Sequence, residues 1–267
     1  MNTPKTRETV IVLVDPCHYH QPALDNFVQM VKSAEDNSDI EVLVAISPTS
    51  KESENLDLIS CSNTWLEDKV HTPLKELHIP YSLQFIWTYN WDEAVLKVSK
   101  QNDAILTIVP YYSDLPGTFF NDDKWKLLRK ASNPILISSD QDYSKANTIL
   151  CTLKTQDNKY AERNQRVVEA AESLSSLFGL DTHAVNAYND SMEYPDRAQI
   201  ASQTGIDNDK IHVKIGDPQD VICKVAEDID ANLVLIASQQ RSGLHGALRG
   251  NMIEKIVERM DRSILMI

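Results

Sequence analysis

Short apolar runs alternate along this chain with stretches of helical periodicity. The runs are continuous and rich in β-branched residues, which is typical of strands in parallel sheets that are covered on both faces. The predicted strands are 10–14, 40–46, 81–87, 104–109, 134–137, 147–153, 182–187, 211–215, 233–236 and 263–267. The predicted helices are 23–34, 65–77, 91–99, 123–130, 160–178, 193–203, 218–227 and 250–260. This alternation predicts an α/β protein.

The order of the elements occurs twice. Residues 103–108 match residues 231–236 at an offset of 128, and residues 134–137 match residues 263–266 at an offset of 129. Repetition at a fixed spacing indicates a duplicated unit. We therefore predict two domains, 1–140 and 141–267, joined by a polar linker at 139–146.

Right-handed crossovers fold each unit into an open parallel sheet with helices on both faces. Ligands in such sheets lie beyond the carboxyl ends of the strands, where the winding reverses. This rule places Asp15 and Pro16, after the first strand, and residues 237–250 in the candidate crevices. Four of the seven glycines (Gly216, Gly243, Gly246 and Gly250) lie between residues 216 and 250, where a strand end followed by a helix start favours anionic ligands.

Charge and composition narrow the class of protein. The net charge of −13 and the pI near 4.9 argue against nucleic acid or an anionic membrane surface as a partner. The first apolar run, 10–14, is too short for a signal peptide or a membrane span. The cysteines at 17, 61, 151 and 223 stand singly, which fits reduced thiols and predicts a cytoplasmic protein.

The residues Cys17, His18 and His20 after the first strand raise the alternatives of a metal site or a reactive thiol. No third ligand is evident nearby, so an ordinary polar loop is favoured and no metal is expected. The sequence also lacks a nucleophile elbow, a zinc-protease signature and paired helical carboxylates, so no enzyme activity is predicted. The aromatic residues Trp87, Trp91, Tyr111 and Tyr112 are interpreted as core or inter-domain packing residues, or alternatively as walls of an apolar ligand pocket.

Several stretches together resemble the universal stress protein family in its tandem form, closest to the E-type proteins of Gram-negative bacteria. They are residues 14–16 with 21–24, residues 125–130 before 133–137, and residues 248–254. The resemblance covers essentially the whole chain. It implies two Rossmann-like five-stranded sheets of strand order 3-2-1-4-5, as in adenine-nucleotide alpha-hydrolases, and a role in stress response.

The resemblance also defines where a nucleotide would bind. Nucleotide-binding members carry G-x-x-G, nine residues, then G-[S/T]; here Ala237, Gln240, Gly250 and Asn251 occupy those positions. A Cβ at a position that needs positive φ costs about 1–2 kcal/mol, so two lost glycines would weaken ATP binding by about one to three orders of magnitude. Residues 110–117 in the first half also lack the glycines of a phosphate loop.

The family's acidic contact to the nucleoside is retained as Asp15, and its equivalent in the second half is predicted to be Leu153. Each half thus keeps a different part of the ancestral site. The candidate ligand-binding residues are Asp15, Pro16, Gly216, Ala237, Ser238, Arg241, Gly243, Gly246, Arg249, Gly250 and Asn251.

Two functions follow as hypotheses. The first is a non-enzymatic regulatory protein that binds a small anionic or partly apolar ligand, or acts through partners, and uses no cofactor. The alternative is an ATP-binding stress switch with slow or no hydrolysis in the second domain. A nucleotidyl-transferring enzyme is disfavoured, because residues 17–20 lack the apolar spacing of its histidine pattern.

The last strand of each half would lie at a sheet edge and expose unpaired backbone groups. In the resembling family this edge mediates dimer contacts. The resemblance therefore implies that the two halves pair as an intramolecular pseudo-dimer, which leaves a monomer or a weak homodimer.

Overall fold

Ten β-strands and nine α-helices alternate through the part of the chain that the structure describes. The computed structural model describes residues 7–34, 39–49, 61–86, 88, 90–112, 122–139, 148–237, 252–260 and 262–267. The chain divides into two compact units, Met1–Asp142 and Tyr143–Ile267. No described α-helix combines the length and apolar character needed to cross a membrane.

In the first unit five parallel strands take the order β3-β2-β1-β4-β5. The strands are β1 (Glu8–Val14), β2 (Ile40–Ile46), β3 (Tyr81–Phe85), β4 (Leu106–Pro110) and β5 (Ile135–Ser138). The helices are α1 (Pro22–Ser33), α2 (Asn63–Leu66), α3 (Thr72–Glu76), α4 (Trp91–Gln101) and α5 (Asp122–Lys130), with a π-helical turn, Glu67–His71, between α2 and α3.

The second unit repeats this plan with the order β8-β7-β6-β9-β10, again with parallel pairs. The strands are β6 (Thr148–Leu153), β7 (Asp181–Tyr188), β8 (Ile211–Ile215), β9 (Leu233–Ile236) and β10 (Ser263–Met266). The helices are α6 (Ala161–Phe178), α7 (Arg197–Thr204), α8 (Pro218–Asp228) and α9 (Met252–Arg259). The predicted α/β class and the order 3-2-1-4-5 are confirmed in both units.

Burial differs between the central strand β1 and the strand β3. Residues 10–14 of the central strand β1 are fully buried, because strands flank β1 on both sides and helices cover its faces. The prediction that residues 81–87 form a similarly buried strand is wrong about burial. In β3, Phe85 is 54% exposed, since β3 is the last strand of the order and has a neighbour on one side only.

Helix boundaries have local causes. In α8 the carboxylate of Asp217 accepts a hydrogen bond from the Gln219 backbone N–H, and Pro218 begins the helix with a φ that already suits it. α6 and α7 end at Gly179 and Gly205, both in the left-handed conformation that glycine adopts without strain. These helices hold the strand ends, and therefore the loops beyond them, in fixed positions.

Candidate ligand crevices at the carboxyl ends of the strands

Two equivalent hydrogen bonds align the central strands of the two units. The Ile105 backbone N–H donates to the Thr9 carbonyl and the Asn232 N–H to the Thr148 carbonyl, both at 3.0 Å. The ladders agree, since Val10 pairs with Leu106 and Ile149 with Leu233. Thr9 and Thr148 are therefore structurally equivalent, and positions counted from them can be compared directly.

Six residues further along, the equivalent of Asp15 is Lys154. Both are the first residue after the central strand of their unit. The prediction that Leu153 occupies this place is wrong by one residue, because Leu153 is still in β6 and matches Val14. The acidic position of the first unit thus has a residue of opposite charge in the second.

The carboxylate of Asp15 is fully buried and bound by neighbouring groups. Its Oδ2 accepts hydrogen bonds from the Thr49 hydroxyl at 2.6 Å and the Thr49 backbone N–H at 2.8 Å, and its Oδ1 accepts one from the Cys17 backbone N–H at 2.9 Å. Three donors of the chain itself use most of the acceptor capacity of a carboxylate. A ligand hydroxyl would have to displace Thr49 to bind Asp15.

The Gln21 side chain holds the backbone of the loop that carries Asp15. Its Oε1 accepts from the Asp15 backbone N–H at 3.0 Å, while its Nε2 donates to the carbonyls of Asp15 at 2.8 Å and His18 at 2.7 Å. Pro16 is buried in the same loop. Buried backbone groups are thus satisfied locally, and the loop has one preferred arrangement.

Aromatic side chains occupy the space beside Asp15. The ring of His18 stacks on Tyr112 with centroids 3.7 Å apart, and Tyr111 and Tyr112 are both buried after β4. This is the predicted core role for the two tyrosines; Trp91 is buried as well, and Trp87 lies outside the described residues. A base or ribose has to compete with this stack for the first crevice.

Lys124, in the first turn of α5, is the one strongly buried lysine among the described residues. It is 7% exposed, and its Nζ lies 5.2 Å from the ring centroid of Tyr111. Burial lowers the pKa of the Lys124 ammonium to about 8, and the nearby Asp15 carboxylate opposes that shift. The sequence analysis did not identify this residue, because a lysine in a helical first turn usually points to solvent.

The thiol and imidazoles after β1 do not converge on a common centre. Burial, and then the charge of Asp15, raise the pKa of the Cys17 thiol to about 12, which is the opposite of what a nucleophilic thiol needs. His18 stacks on Tyr112, whereas His20 Nδ1 lies 3.6 Å from the Asp25 carboxylate. The described residues contain no cluster of three or more side chains suited to a metal ion.

In the second unit Lys154 begins a loop that α6 fixes in place. The Lys154 backbone N–H donates to Asn164 Oδ1 at 3.0 Å, and Asn164 Nδ2 donates back to the Lys154 carbonyl at 2.8 Å. The side chain of Lys154 is exposed and lies over the ring of Tyr160, with Nζ 4.7 Å from the centroid. The crevice is therefore cationic at the point where the first unit has a buried carboxylate.

A network of amides lies beside this loop, at the end of β7. Asn186 is 1% exposed; its Nδ2 donates to Thr155 Oγ1 at 2.6 Å, and its Oδ1 accepts from Gln156 Nε2 at 2.8 Å. Gln156 Nε2 also donates to the Ala187 carbonyl at 2.9 Å, while the buried Gln156 Oε1 has no hydrogen-bond partner within the described part of the chain. The sequence analysis missed these residues, although a lone Asn in an apolar strand was a visible signal.

Of the eleven predicted ligand-binding residues, the structure describes Asp15, Pro16, Gly216 and Ala237. Gly216 follows β8 with φ +140°, and a Cβ there would lie 3.2 Å from Val221 Cγ2, so the position requires glycine for conformational and steric reasons. Ala237 follows β9 and is half-buried. Ser238, Arg241, Gly243, Gly246, Arg249, Gly250 and Asn251 lie outside the described residues, as does Gln240.

Comparison of this sequence with known proteins finds similarity to universal stress proteins. Residues 153–267 match the model of the universal stress protein family. The chain is 26% identical to a universal stress protein E homolog of Haemophilus influenzae, with 97% of this chain and 96% of that protein covered. It is 23% identical to universal stress protein E of Escherichia coli K12, over 97% of this chain and 93% of the relative.

Solved structures show the same fold. A Pseudomonas aeruginosa UCBPP-PA14 protein superposes with a TM-score of 0.74 at 18% identity, over 98% of this chain and 94% of the other. A universal stress protein from Archaeoglobus fulgidus DSM 4304 superposes with a TM-score of 0.69 at 14% identity, over 98% and 96% of the two chains. At these identities the likeness establishes the architecture.

Proposed function

We propose that this chain is a member of the universal stress protein family and acts as a non-enzymatic cytoplasmic stress-response protein whose first nucleotide crevice is closed by its own side chains. Its second crevice binds a small anionic or partly apolar ligand other than ATP. Ligand binding there changes how the protein acts on its partners, and the chain works as a monomer or a weak homodimer.

The hydrogen bonding of Asp15 carries this proposal. Resembling nucleotide-binding proteins use this carboxylate for the nucleoside, whereas here Thr49 and the Cys17 backbone hold it at zero exposure. Breaking such bonds to a buried charge costs about 1.5–3 kcal/mol each unless the ligand replaces them. The stack of His18 on Tyr112 adds a second barrier in the same space.

The chain's departure from the phosphate-loop pattern supports the same conclusion for the second unit. Ala237 and Gln240 replace two glycines of that pattern, and Lys154 replaces the acidic contact. Without the glycines the site loses contacts to the phosphates, and without the carboxylate it loses the contact to the nucleoside.

Isothermal titration calorimetry of the purified chain with ATP and Mg²⁺ tests the proposal. The expected result is no binding in the micromolar range. Micromolar binding that Asp15→Asn abolishes would show an open first crevice and overturn the proposal. The matched control is Asp25→Asn, which removes an exposed carboxylate from α1 without touching the crevice.

The ATP-binding switch is the second candidate, favoured by the cationic side chains that surround Tyr160 in the second crevice. Its test is the nucleotide content of freshly purified protein, measured by chromatography after acid precipitation. Stoichiometric ATP that Lys154→Ala removes and Asp15→Asn does not would favour the switch. A nucleotide-free protein favours the first proposal.

A further inference from the structure

The loop between β6 and α6 gathers three cationic side chains around one aromatic ring. Lys154 Nζ, Lys159 Nζ and Arg163 Cζ lie 4.7, 5.1 and 5.3 Å from the centroid of Tyr160. In a chain of net charge −13 this local excess of positive charge runs against the overall balance. The ring face attracts cations, but like charges on one ring also repel each other.

Only part of this charge is compensated within the described residues. Asp157 Oδ2 lies 2.5 Å from Lys159 Nζ, and this ion pair raises the pKa of Lys159. Neither Lys154 nor Arg163 has a carboxylate oxygen within 4.0 Å among the described residues. Lys154 interacts with the Asp157 carboxylate at longer range, and neither Lys154 nor Arg163 has a direct ion pair within the described part of the chain.

The loop is also preorganised. The two hydrogen bonds between the Lys154 backbone and Asn164 tie its beginning to α6, and Asp157 accepts the Lys159 backbone N–H at 3.0 Å. α6 has eighteen residues and begins directly after Tyr160, which is its N-cap residue, so the positive end of the helix dipole lies beside the cluster. A fixed loop loses little entropy when it binds a ligand.

The position of the cluster in the fold points to ligand binding. β6 pairs with β7 on one side and with β9 on the other, so the winding of the second unit reverses beside its carboxyl end. Crevices for ligands in open α/β sheets form at this reversal. Two residues after Lys154, Gln156 Oε1 is buried and has no hydrogen-bond partner among the described residues.

We propose that the β6–α6 loop is an anion site in which Lys154 and Arg163 bind the phosphate group of a small phosphorylated metabolite. This deepens the proposed function and rests on it, because it names the ligand class of the second crevice. In resembling nucleotide-binding proteins the nucleoside lies at the end of the central strand, at the position of Asp15. In the proposed site the negatively charged phosphate lies there instead, at the end of β6. Gln156 Oε1 accepts a hydrogen bond from an N–H or O–H of the same ligand.

The test follows backbone amide shifts of the full chain by heteronuclear NMR during titration with inorganic phosphate. The expected result is a saturable shift of the amides of residues 154–163 in the millimolar range. In Lys154→Ala and in Arg163→Ala the apparent affinity falls about tenfold, as expected when one charge-assisted hydrogen bond is lost. Lys224→Ala, which removes an exposed lysine paired with Asp228 on α8, leaves the titration unchanged.

Three outcomes would overturn the inference: no shift in the loop, equal affinity in the wild type and the Lys154→Ala and Arg163→Ala variants, or shifts confined to residues 238–251. Glycerol 3-phosphate as a second probe carries hydroxyl donors and should bind more tightly than inorganic phosphate if Gln156 Oε1 accepts from the ligand; weaker binding would contradict the role of Gln156. ATP binding that depends on Asp15 would overturn the proposed function and leave this anion site standing.

Discussion

Asp15 and Lys154 occupy equivalent positions after the central strands, and their surroundings give them different roles. Asp15 is buried, and three donors of the chain stabilise its negative charge. Lys154 is exposed, and an aromatic ring is its nearest partner. A buried ion that is already hydrogen-bonded resists new partners, whereas an exposed cation in a crevice is available to them. The same point of the fold thus carries a buried, hydrogen-bonded carboxylate in one unit and an exposed cation in the other.

Thr49→Val tests the structural role of Asp15. The change keeps the shape of the side chain and removes the hydroxyl that donates to Asp15 Oδ2 at 2.6 Å. We expect a loss of about 2 kcal/mol in the free energy of unfolding, measured by urea denaturation, because the buried carboxylate loses a charge-assisted bond. Thr49→Ser keeps the hydroxyl and should lose clearly less; equal losses would show that packing alone matters.

The lowered pKa of Lys124 should make the free energy of unfolding depend on pH. Burial lowers its pKa to about 8 in the folded state from 10.5, so between these values the unfolded chain binds more protons. The cost of burying the ammonium is fully present below pH 8 and is relieved as the pH rises towards 10.5, so this residue makes stability increase across the window by on the order of 3 kcal/mol. In Lys124→Met that contribution disappears, and urea denaturation at several pH values measures the difference. The same increase in the variant would contradict the burial of the charge.

At the scale of elements, the hydrophobic pattern predicted all ten strands, and β2, β8 and β9 agree with it to the residue. The site was harder to predict for two reasons. The alignment of β4 with β9 at an offset of 128 differs by one from the offset of 127 that relates the equivalent residues Leu106 and Leu233, and uniform apolar strands contain no polar marker that fixes the register. Thr49 is 34 residues from Asp15, and such a contact exists only after β1 and β2 have paired.

The paired strands β7 and β8 contain a titratable contact. His183 Nδ1 lies 3.1 Å from His212 Nε2, and the rings are stacked at 5.4 Å. His183 Nε2 also lies 3.5 Å from Asp181, which Lys210 pairs at 2.6 Å. Burial, and then the charges of His183, Lys214 and Arg197, lower the pKa of His212, while Asp228 opposes this shift. A hydrogen bond between two imidazoles requires that at least one of them is not protonated.

We therefore expect this pair to stabilise the second unit above pH 6.5 and to lose that effect as the pH falls through the lowered pKa of His212. His212→Gln should reduce the loss of stability on acidification, measured by urea denaturation at neutral and mildly acidic pH. His20→Gln is the control, because His20 is exposed and its partner Asp25 is half-exposed. An identical acid response in wild type and His212→Gln would show that the pair does not titrate in this range.

At the scale of the whole molecule, 39 acidic side chains against 26 basic ones destabilise the compact state by self-repulsion. Sodium chloride screens this repulsion, so the melting temperature should rise with ionic strength.

Phosphate at equal ionic strength should raise the melting temperature further if the β6–α6 loop binds the anion in the folded state only. The extra rise should vanish in the double variant Lys154→Ala/Arg163→Ala, which separates specific binding from the general effect of phosphate on protein hydration. Thermal denaturation followed by circular dichroism measures both effects, and an undiminished phosphate increment in the double variant would place the anion elsewhere on the molecule.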